Sequence, residues 1–309
     1  MDIQQAHAKV SQVIEKSSEI ILGKKEQLTL SLACLLAKGH LLVEDLPGMG
    51  KTTLAHVLAK TLGLEFQRIQ FTSDMLPSDI LGTTVYQNHS HDFRFMPGPI
   101  FSQLVLADEV NRATPKTQSA LLEAMEEYQV TIEGQTHELP SPFFVIATQN
   151  PSHQIGTFAL PESQLDRFLM RIEMGYPDEE AEKALLKGSD RRDMVHDLNA
   201  VIHPDDLLAI QALVPTIHTS DALIDYVHAL LNFSREAYFY RSGLSPRAGL
   251  ALLRAAQAWA LIDKRNHVLP EDVQAVLPHV VGHRLQAATD YRDQTLEELL
   301  NHIQRVAVP

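Results

Sequence analysis

A lysine and two threonines follow a short loop with two glycines, in an arrangement that could hold phosphate groups. The loop reads, in order, Pro47-Gly48-Met49-Gly50-Lys51-Thr52-Thr53. Glycines allow the backbone to turn so that successive N–H groups point at phosphate oxygens. Lys51 can reach the β- and γ-phosphates, and the hydroxyl of Thr52 can bind Mg²⁺. The chemistry predicted for this stretch is therefore the binding of a nucleoside triphosphate together with a magnesium ion.

The elements on either side of the loop are those that such a site needs. An apolar run at residues 41–43 predicts a buried strand before the loop. After the loop, Leu54, Leu58 and Leu62 recur at helical spacing, and Gly63 ends the pattern. The positive end of that helix would face the bound anion. Strand, glycine loop, Lys-Thr and helix in this order predict a P-loop.

One position departs from the P-loop pattern G-x-x-x-x-G-K-[ST]. Asp45 stands where the pattern has its first glycine. We expect the carboxylate of Asp45 to point away from the phosphates, because two negative charges at close range repel each other. The departure therefore affects the local geometry of the loop rather than the prediction of a phosphate site.

Two acidic residues and an amide follow two further apolar runs. Asp108 and Glu109 come directly after the apolar run at 104–107, and Asn150 follows the run at 143–147. Both runs predict buried parallel strands. Asp108 would belong to the Mg²⁺ shell, and Glu109 would orient the attacking water. An amide that leaves a neighbouring strand can reach the γ-phosphate, although an Asn-Pro pair also forms turns, so both interpretations of Asn150 stay open.

Alternating residues predict two β-hairpins in the same part of the chain. The first has strands at 83–87 and 92–96 on either side of a polar tip. The second spans 130–139 around Glu133-Gly134, directly before the strand that leads to Asn150.

The remaining pattern divides the chain into an α/β part and a helical part. Two helices are predicted before the P-loop, and the second, residues 26–38, ends at Gly39 as its C′ glycine. Tyr176 and Pro177 mark a boundary, beyond which only helices can be recognised. Those helices begin near Pro204, Ser220, Ser245, Pro270 and Gln294. We predict an α/β domain with a parallel sheet at residues 1–176 and a smaller all-α domain at 177–309.

Composition places the chain among ordinary globular proteins. It has 309 residues, 45% of them hydrophobic and 21% charged, and a net charge of −13. Such acidity disfavours passive binding of nucleic acid or of an anionic membrane. Cys34 is the single cysteine, which excludes an intrachain disulfide, and its apolar helical surroundings favour a buried structural thiol. No signal peptide or membrane-spanning run is recognised, and we expect a cytoplasmic protein without membrane insertion.

The order of these motifs resembles the MoxR family of AAA+ ATPases. The resemblance covers most of the chain. The stretches that carry it are Glu-Asp-Leu-Pro-Gly-Met-Gly-Lys-Thr-Thr (44–53), Leu-Ala-Asp-Glu-Val-Asn-Arg-Ala (106–113), Ala-Thr-Gln-Asn-Pro (147–151), Leu-Pro-Glu-Ser-Gln-Leu-Asp-Arg-Phe (160–168) and Ser-Pro-Arg-Ala (245–248). It implies a P-loop AAA+ core with one hairpin inserted in the second core helix and another before sensor 1, followed by a helical lid.

The resemblance also assigns roles to the residues around the phosphates. Lys51 and Thr52 match Walker A, whose loop residues contact the nucleotide. Asp108 and Glu109 match Walker B, so that Thr52 and Asp108 would hold Mg²⁺ and Glu109 would be catalytic. Asn150 matches sensor 1. Because the Lys-Thr-Thr and Asp-Glu sequences are intact, the resemblance implies an active ATPase with ATP and Mg²⁺ as cofactors.

Two arginines outside these motifs receive roles from the resemblance. Arg167 is similar to the arginine finger, which acts on ATP held by a neighbouring subunit. Arg247 is similar to sensor 2, and its place in the first turn of a helix opposes the helix dipole. The family forms rings, often hexamers, with the active site between subunits. Leu22 and Gly23 lie where AAA+ proteins pack the adenine ring, although a plain turn between helices fits the sequence equally well.

The resemblance implies a chaperone-like remodelling or maturation factor for other proteins, working with a partner that carries a von Willebrand factor A domain. Three alternatives belong to other classes: a DNA motor or helicase, the ATPase subunit of a metal chelatase, and a passive nucleotide sensor, which would require a broken Walker B. The hairpin tips at 88–91 and 133–135 carry no Lys or Arg, which weighs against a grip on DNA. His89 and His91 lack a third ligand at the first tip, so no metal is expected there.

Overall fold

A computed structural model describes residues 1–88, 91–150, 157–188, 191–291 and 293–308. The predictions that concern His89, Ser90 and Pro151 lie outside the described residues. The strands in the described part of the chain are β1 Leu41–Glu44, β2 Phe66–Gln70, β3 Gly82–Gln87, β4 Asp92–Pro97, β5 Leu104–Asp108, β6 Gln129–Ile132, β7 Gln135–Glu138, β8 Phe144–Gln149 and β9 Met170–Ile172.

Helices make up most of the remaining structure. They are α1 Ile3–Ser18, α2 Lys25–Leu36, α3 Lys51–Thr61, α4 Pro77–Leu81, α5 Pro115–Glu127, α6 Glu162–Leu165, α7 Glu179–Lys187, α8 Arg191–His196, α9 Pro204–Leu213, α10 Asp221–Glu236, α11 Pro246–Ile262, α12 Pro270–Val281 and α13 Leu296–Gln304. Within the described residues, no helix has the length and apolar character needed to cross a membrane.

A parallel sheet positions the predicted phosphate site. Its five strands run in the order β2-β5-β8-β1-β9, and every pair within it is parallel. Strands β5 and β8 are apolar and buried over almost their whole length, as expected for central strands covered on both faces. The carboxyl ends of β1, β5 and β8 therefore meet at one edge of the sheet. The prediction of an α/β core with a parallel sheet is confirmed.

Side chains of the central strands alternate between two hydrophobic clusters. On β1, Leu41 and Val43 join the larger cluster, while Leu42 joins the smaller one with α5. The larger cluster also contains residues of α1 to α3 and of the carboxyl-terminal helices, and α11 packs on both α1 and α2. The helices after residue 200 thus share a core with the amino-terminal helices. The domain boundary at 176 and 177 stays a prediction.

Two antiparallel hairpins project from the core, as the alternation of residues predicts. Strands β3 and β4 pair from Gly82↔Pro97 to Gln87↔Asp92, and β6 pairs with β7 around Glu133-Gly134. The ring of Phe95 on β4 stacks on His137 of β7 with centroids 4.0 Å apart. The hairpins therefore support each other rather than standing alone.

Local capping chemistry explains where many helices begin. The side chains of Thr114, Asp178, Ser220 and Ser245 each accept a hydrogen bond from a backbone N–H in the first turn of the helix that follows. Pro115 and Pro246 occupy first helical positions, where the missing N–H has no partner to lose. The starts at Ser220 and Ser245 agree with those predicted from the sequence.

The prediction for the end of α2 was wrong in one detail. The left-handed residue after this helix is Lys38, with φ of 56°, and not Gly39. Gly39 donates its N–H to the carbonyl of Cys34, which completes the turn. A glycine is required at 39 for another reason: a Cβ there would lie 2.3 Å from the side chain of Leu169. Tertiary packing, not the backbone dihedral, selects this glycine.

Cys34 is fully buried in α2, and its thiol donates to the carbonyl of His40 at 3.4 Å. Burial raises the pKa of the Cys34 thiol. The expectation of a structural thiol agrees with this environment.

Candidate nucleotide site

The loop between β1 and α3 has the backbone of a phosphate cradle. Gly48 and Gly50 have φ of 88° and 86°, in the left-handed region that favours glycine. Gly50 is the N-cap of α3, so the free N–H groups of the first helical turn begin directly after it. Loop N–H groups and the positive helix end are thus available to one anion.

Lys51 is buried at the first position of α3, with 7% of its surface exposed. Its ammonium donates to the carbonyl oxygens of Asp45 at 2.5 Å and Leu46 at 3.3 Å. It also donates to Oδ1 of Asn150 at 3.2 Å. Burial lowers the pKa of Lys51, while nearby carboxylates, Asp45 first among them, oppose that shift. The lysine is therefore fixed beside the end of β8.

Asn150 joins the lysine to the predicted catalytic acid. Its side chain is 5% exposed, and its Nδ2 donates to Oε1 of Glu109 at 3.0 Å. Its backbone carbonyl accepts from Nδ2 of Asn111 at 3.2 Å. Because one amide contacts both Lys51 and Glu109, the side chains assigned to Walker A, Walker B and sensor 1 form one connected network.

Glu109 is held by several donors at the end of β5. Its backbone is left-handed, with φ of 56°, and its N–H donates to Oγ1 of Thr148 at 2.9 Å. Oε2 accepts from Nε2 of Gln70 at 3.0 Å and lies 3.0 Å from Nη1 of Arg112. These contacts fix the carboxylate in one orientation beside Asn150.

Asp108 is paired with an arginine that the sequence analysis did not single out. Oδ2 of Asp108 accepts from Arg68, 2.6 Å from Nη2 and 3.1 Å from Nε, while Oδ1 accepts from the hydroxyl of Thr148 at 2.6 Å. Arg68 and Gln70 stand on one side of β2, next to β5. The alternation of polar residues in β2 marks that side, but only the register of β2 against β5 shows what it faces.

The donors at this edge fit a magnesium ion. Mg²⁺ prefers a few protein oxygen ligands and retains water and phosphate oxygens in its shell. The Thr52 hydroxyl and the Asp108 carboxylate are such ligands. Among the described residues, no group of three or more His, Cys, Asp or Glu side chains forms another metal site.

Asp45 turns toward a segment outside the loop. Its Oδ2 accepts from the backbone N–H of Gly175 at 2.6 Å, and its Oδ1 accepts from that of Leu46 at 2.6 Å. The expectation that this carboxylate points away from the phosphates agrees with these contacts. The departure from the P-loop pattern thus has a structural use, since Asp45 ties the loop to the residues after β9.

A cavity of about 460 Å³ opens beside the P-loop. Leu22 lines it together with loop residues and Thr53, and most of its remaining lining is apolar, namely Ile20, Ile21, Met174, Tyr176, Pro177, Leu185 and Leu186. Gly23 does not line the cavity; a Cβ there would lie 2.8 Å from Cβ of Ala181. The segment before α2 therefore supplies one wall of an apolar space that adjoins the phosphate loop, as a base-binding pocket would require.

Thr52 and Thr53 border a second cavity, of about 750 Å³. Its further lining residues are His56, Lys60, Arg68, Val195 and His196. Among the described residues that line it, Lys60 and Arg68 carry positive charge.

Arg167 and Arg247 are not brought to this network. Nη1 of Arg167 donates to the carbonyl of Leu122 at 2.6 Å and lies 3.0 Å from Oε2 of Glu126. Nη1 of Arg247 lies 3.1 Å from Oε1 of the same Glu126. Both arginines line a cavity of about 250 Å³ that also includes Gly39, just before β1. The P-loop follows the other end of β1, so the arginines and the phosphate site lie at opposite edges of the sheet.

Comparisons with known proteins show the family to which the chain belongs. A model described as the ATPase family associated with various cellular activities (AAA) matches residues 40–170, and an AAA lid domain matches residues 233–303. YeaC of Bacillus subtilis is 44% identical over 90% of this chain and 87% of its own length. Chaperone MoxR1 of Mycobacterium tuberculosis is 38% identical over 97% of this chain and 82% of its own length.

A solved structure supports the same relationship. A crystal structure of a protein from Cytophaga hutchinsonii, provisionally named an ATPase, superposes with a TM-score of 0.89 at 36% identity and covers 99% of this chain and 96% of that one. Fold, site and matches together define a AAA-type ATPase module with a helical lid. The chain belongs to the MoxR family of AAA+ ATPases.

Proposed function

We propose that this protein hydrolyses ATP with Mg²⁺ and uses the energy to remodel other proteins. The observation that carries the ATPase assignment is the network in which Asn150 contacts both Lys51 and Glu109. Thr52 and Asp108 would hold Mg²⁺, and the ion would supply positive charge that offsets the negative charge developing on the phosphates.

The residues of the network have complementary tasks in hydrolysis. Lys51 donates to two loop carbonyls and to Asn150, and phosphate oxygens would compete for these same hydrogens. A γ-phosphate that draws the Asn150 amide toward itself would release one oxygen of Glu109. Glu109 can then accept a hydrogen bond from the attacking water and orient it in line with the phosphate.

The active site is shared between subunits. The two ends of strand β1 are roughly 10 Å apart. Arg167 lies in space near the amino-terminal end of β1, whereas the P-loop follows its carboxyl-terminal end. We therefore infer that Arg167 acts on the nucleotide of a neighbouring subunit, and that Arg247, which pairs with the same Glu126, acts beside it. This supports a ring of identical subunits, for which a hexamer is the size that the family resemblance implies.

The remodelling activity is proposed from the relatives and from one surface. Chaperone MoxR1 carries that activity in its name, and it covers nearly the whole chain. On the first hairpin, Tyr86 and Phe93 are 46% and 67% exposed, and their rings pack 5.2 Å apart. Exposed apolar groups of this kind mark contacts with other proteins. A partner with a von Willebrand factor A domain is proposed from the family resemblance, and co-purification with such a domain tests it.

Two substitutions test the ATPase assignment. Glu109→Gln should bind ATP and lose turnover, because the amide cannot polarise water. Arg167→Ala should bind ATP with unchanged affinity yet lose turnover by about 10³-fold or more, because the developing charge on the phosphate loses its neutralising partner. ATP binding is measured with a fluorescent analogue and turnover by phosphate release.

Arg241→Ala is the matched control. Arg241 is a surface arginine whose side chain is 68% exposed and 3.6 Å from Glu162, so its loss should leave turnover unchanged. Normal turnover in Arg167→Ala would rule out the arginine-finger role. Turnover that increases on addition of single-stranded DNA would favour the DNA-motor alternative over a protein remodeller.

A further inference from the structure

The end of the lid helix α12 contacts the segment that carries Arg167. His283 is 7% exposed, and its Nε2 donates to the carbonyl of Phe168 at 3.1 Å. One turn earlier, Nδ1 of His279 lies 3.3 Å from the carbonyl of Arg171. Residues that follow Arg167 along the chain thus meet the same part of α12 and the turn after it.

Arg284 makes the most extensive of these contacts. Its Nε donates to Oδ1 of Asp166 at 2.7 Å, and its Nη2 donates to the carbonyls of Asp166 at 3.2 Å and Phe168 at 2.8 Å. Its Nη1 donates to the carbonyl of Leu169 at 3.3 Å and to that of Val280 in α12. The guanidinium therefore binds the chain immediately before and immediately after Arg167.

The chemistry of this contact requires an arginine. The side chain of Arg284 is 7% exposed, so its charge depends on Asp166 and the surrounding carbonyls for stabilisation. A planar guanidinium presents five donors in a fixed fork, whereas a lysine ammonium is a single point of charge. Only the fork can hold one carboxylate and several carbonyl oxygens at once.

We propose that Arg284 is a positioning residue for Arg167, and that it couples the lid to hydrolysis in the neighbouring subunit. Arg284 keeps residues 166–169 in the conformation that presents Arg167 to the neighbour's phosphates. A displacement of α12 within the lid moves Arg284 and with it Arg167. The inference rests on the proposed role of Arg167, and it adds the lid residue through which the position of that arginine is controlled.

Subunit mixing provides the test. Arg284→Lys keeps the charge and removes the fork, and it should bind ATP normally while losing turnover tenfold or more. Its own P-loop and Glu109 are intact, so an unaltered Arg167 from a neighbour should restore it. Mixing Arg284→Lys subunits with inactive Glu109→Gln subunits should therefore raise turnover several-fold above that of either variant alone. A defect confined to the subunit's own fold would not be rescued in this way.

A second variant and a control accompany the experiment. Asp166→Asn preserves size and removes only the carboxylate that pairs with Arg284, so it carries the same test if Arg284→Lys does not fold. Arg265→Lys is the control, since Arg265 pairs with buried Asp272 in the lid, away from Arg167. It should lower the thermal midpoint without a loss of turnover that mixing can restore.

A reference mixture separates this inference from the function on which it rests. Arg167→Ala mixed with Glu109→Gln should also recover turnover. If that reference recovers and the Arg284→Lys and Asp166→Asn mixtures do not, Arg284 acts within its own subunit and the inference is wrong. If the reference itself does not recover, the arginine-finger assignment is wrong, and the inference is overturned with it. Full turnover in unmixed Arg284→Lys would also contradict the proposal.

Discussion

Asn150 both accepts and donates a hydrogen bond, through two different atoms of one side chain. Its carbonyl oxygen accepts from Lys51, and its amide nitrogen donates to Glu109. A carboxylate of the same shape could accept but not donate, and it would place a second negative charge beside Glu109 and the phosphates. The identity of the residue therefore matters as much as its position.

We predict that Asn150→Asp loses more turnover than Asn150→Ala. Both variants lose the amide that contacts Glu109, which we expect to lower kcat by about 10²-fold or more. Only the aspartate adds repulsion to ATP, so its Kd for ATP should also rise. Measurement of kcat and of ATP affinity for both variants checks this, and a milder loss in Asn150→Asp than in Asn150→Ala would mean that Asn150 acts mainly by filling space.

Asp45 provides a second prediction at this scale. Asp45→Gly restores the glycine of the P-loop pattern, but it removes the acceptors of two backbone N–H groups, those of Leu46 and Gly175. We expect the variant to lose about 1–2 kcal/mol of unfolding free energy. Asp45→Asn retains an acceptor and should lose less. Urea denaturation measures both, and a more stable Asp45→Gly would contradict the structural use of this carboxylate.

Among the elements, the end of α5 is joined to β8 through one buried ring. His40 precedes β1, its Nε2 donates to the carbonyl of Met125, and its Nδ1 accepts from the N–H of Val145. Protonation would place a hydrogen on Nδ1, where an acceptor is needed. Burial accordingly lowers the pKa of His40 from 6.5 to about 4.

This geometry predicts a stability that falls in acid. In the unfolded chain the ring has its ordinary pKa, so between pH 6.5 and 4 the unfolded state binds more protons than the folded state. Above pH 6.5 the contribution of this ring to the unfolding free energy is fully present. As the pH falls from 6.5 to 4, that free energy decreases by about 3 kcal/mol. Burial lowers the pKa of His283 as well, in the same direction.

Unfolding free energies measured at several pH values check the prediction. His40→Gln cannot titrate, so its stability should depend less steeply on pH between 6.5 and 4, whatever its stability at neutral pH. The two proteins should show the same slope above pH 7. Parallel slopes in the acidic window would show that His40 does not account for the acid sensitivity.

The helix starts and hairpin turns could be predicted because they depend on residues that are neighbours in the chain. Thr114 and Ser245 cap their helices by local hydrogen bonds, and the Glu133-Gly134 turn needs only its own two strands. The approach of Glu109 to Asn150 was also predictable, because adjacent parallel strands end at one edge of the sheet.

What could not be predicted depends on contacts between distant segments. Arg68 meets Asp108 only because β2 pairs with β5 in one register. Arg284 and Leu169 are 115 residues apart in sequence, and no local sequence pattern predicts their contact. The sequence marks Gly39 as the glycine after α2, but the predicted reason for it was wrong. A glycine is needed there because a Cβ would collide with the side chain of Leu169.

At the scale of the whole molecule, the sheet separates the two halves of the proposed active site. The proposed nucleotide-binding half lies at the carboxyl-terminal end of β1, and Arg167 and Arg247 lie near its amino-terminal end. In one subunit these arginines share Glu126 and neutralise part of its charge. Under the proposed function, a complete site would require two subunits, with the arginines of one facing the P-loop of the next.

This separation predicts that hydrolysis depends on protein concentration. A single subunit has Lys51, Asp108 and Glu109 but lacks Arg167 beside its own phosphates, so its turnover should be slow. Turnover per subunit should rise as rings assemble, in step with the mass followed by light scattering, and Glu109→Gln should assemble without turnover. A turnover that stays constant while the mass increases would place the whole active site within one subunit. Arg167 would then have no role in hydrolysis, and the position of Arg167 and Arg247 at the far edge of the sheet would need another explanation.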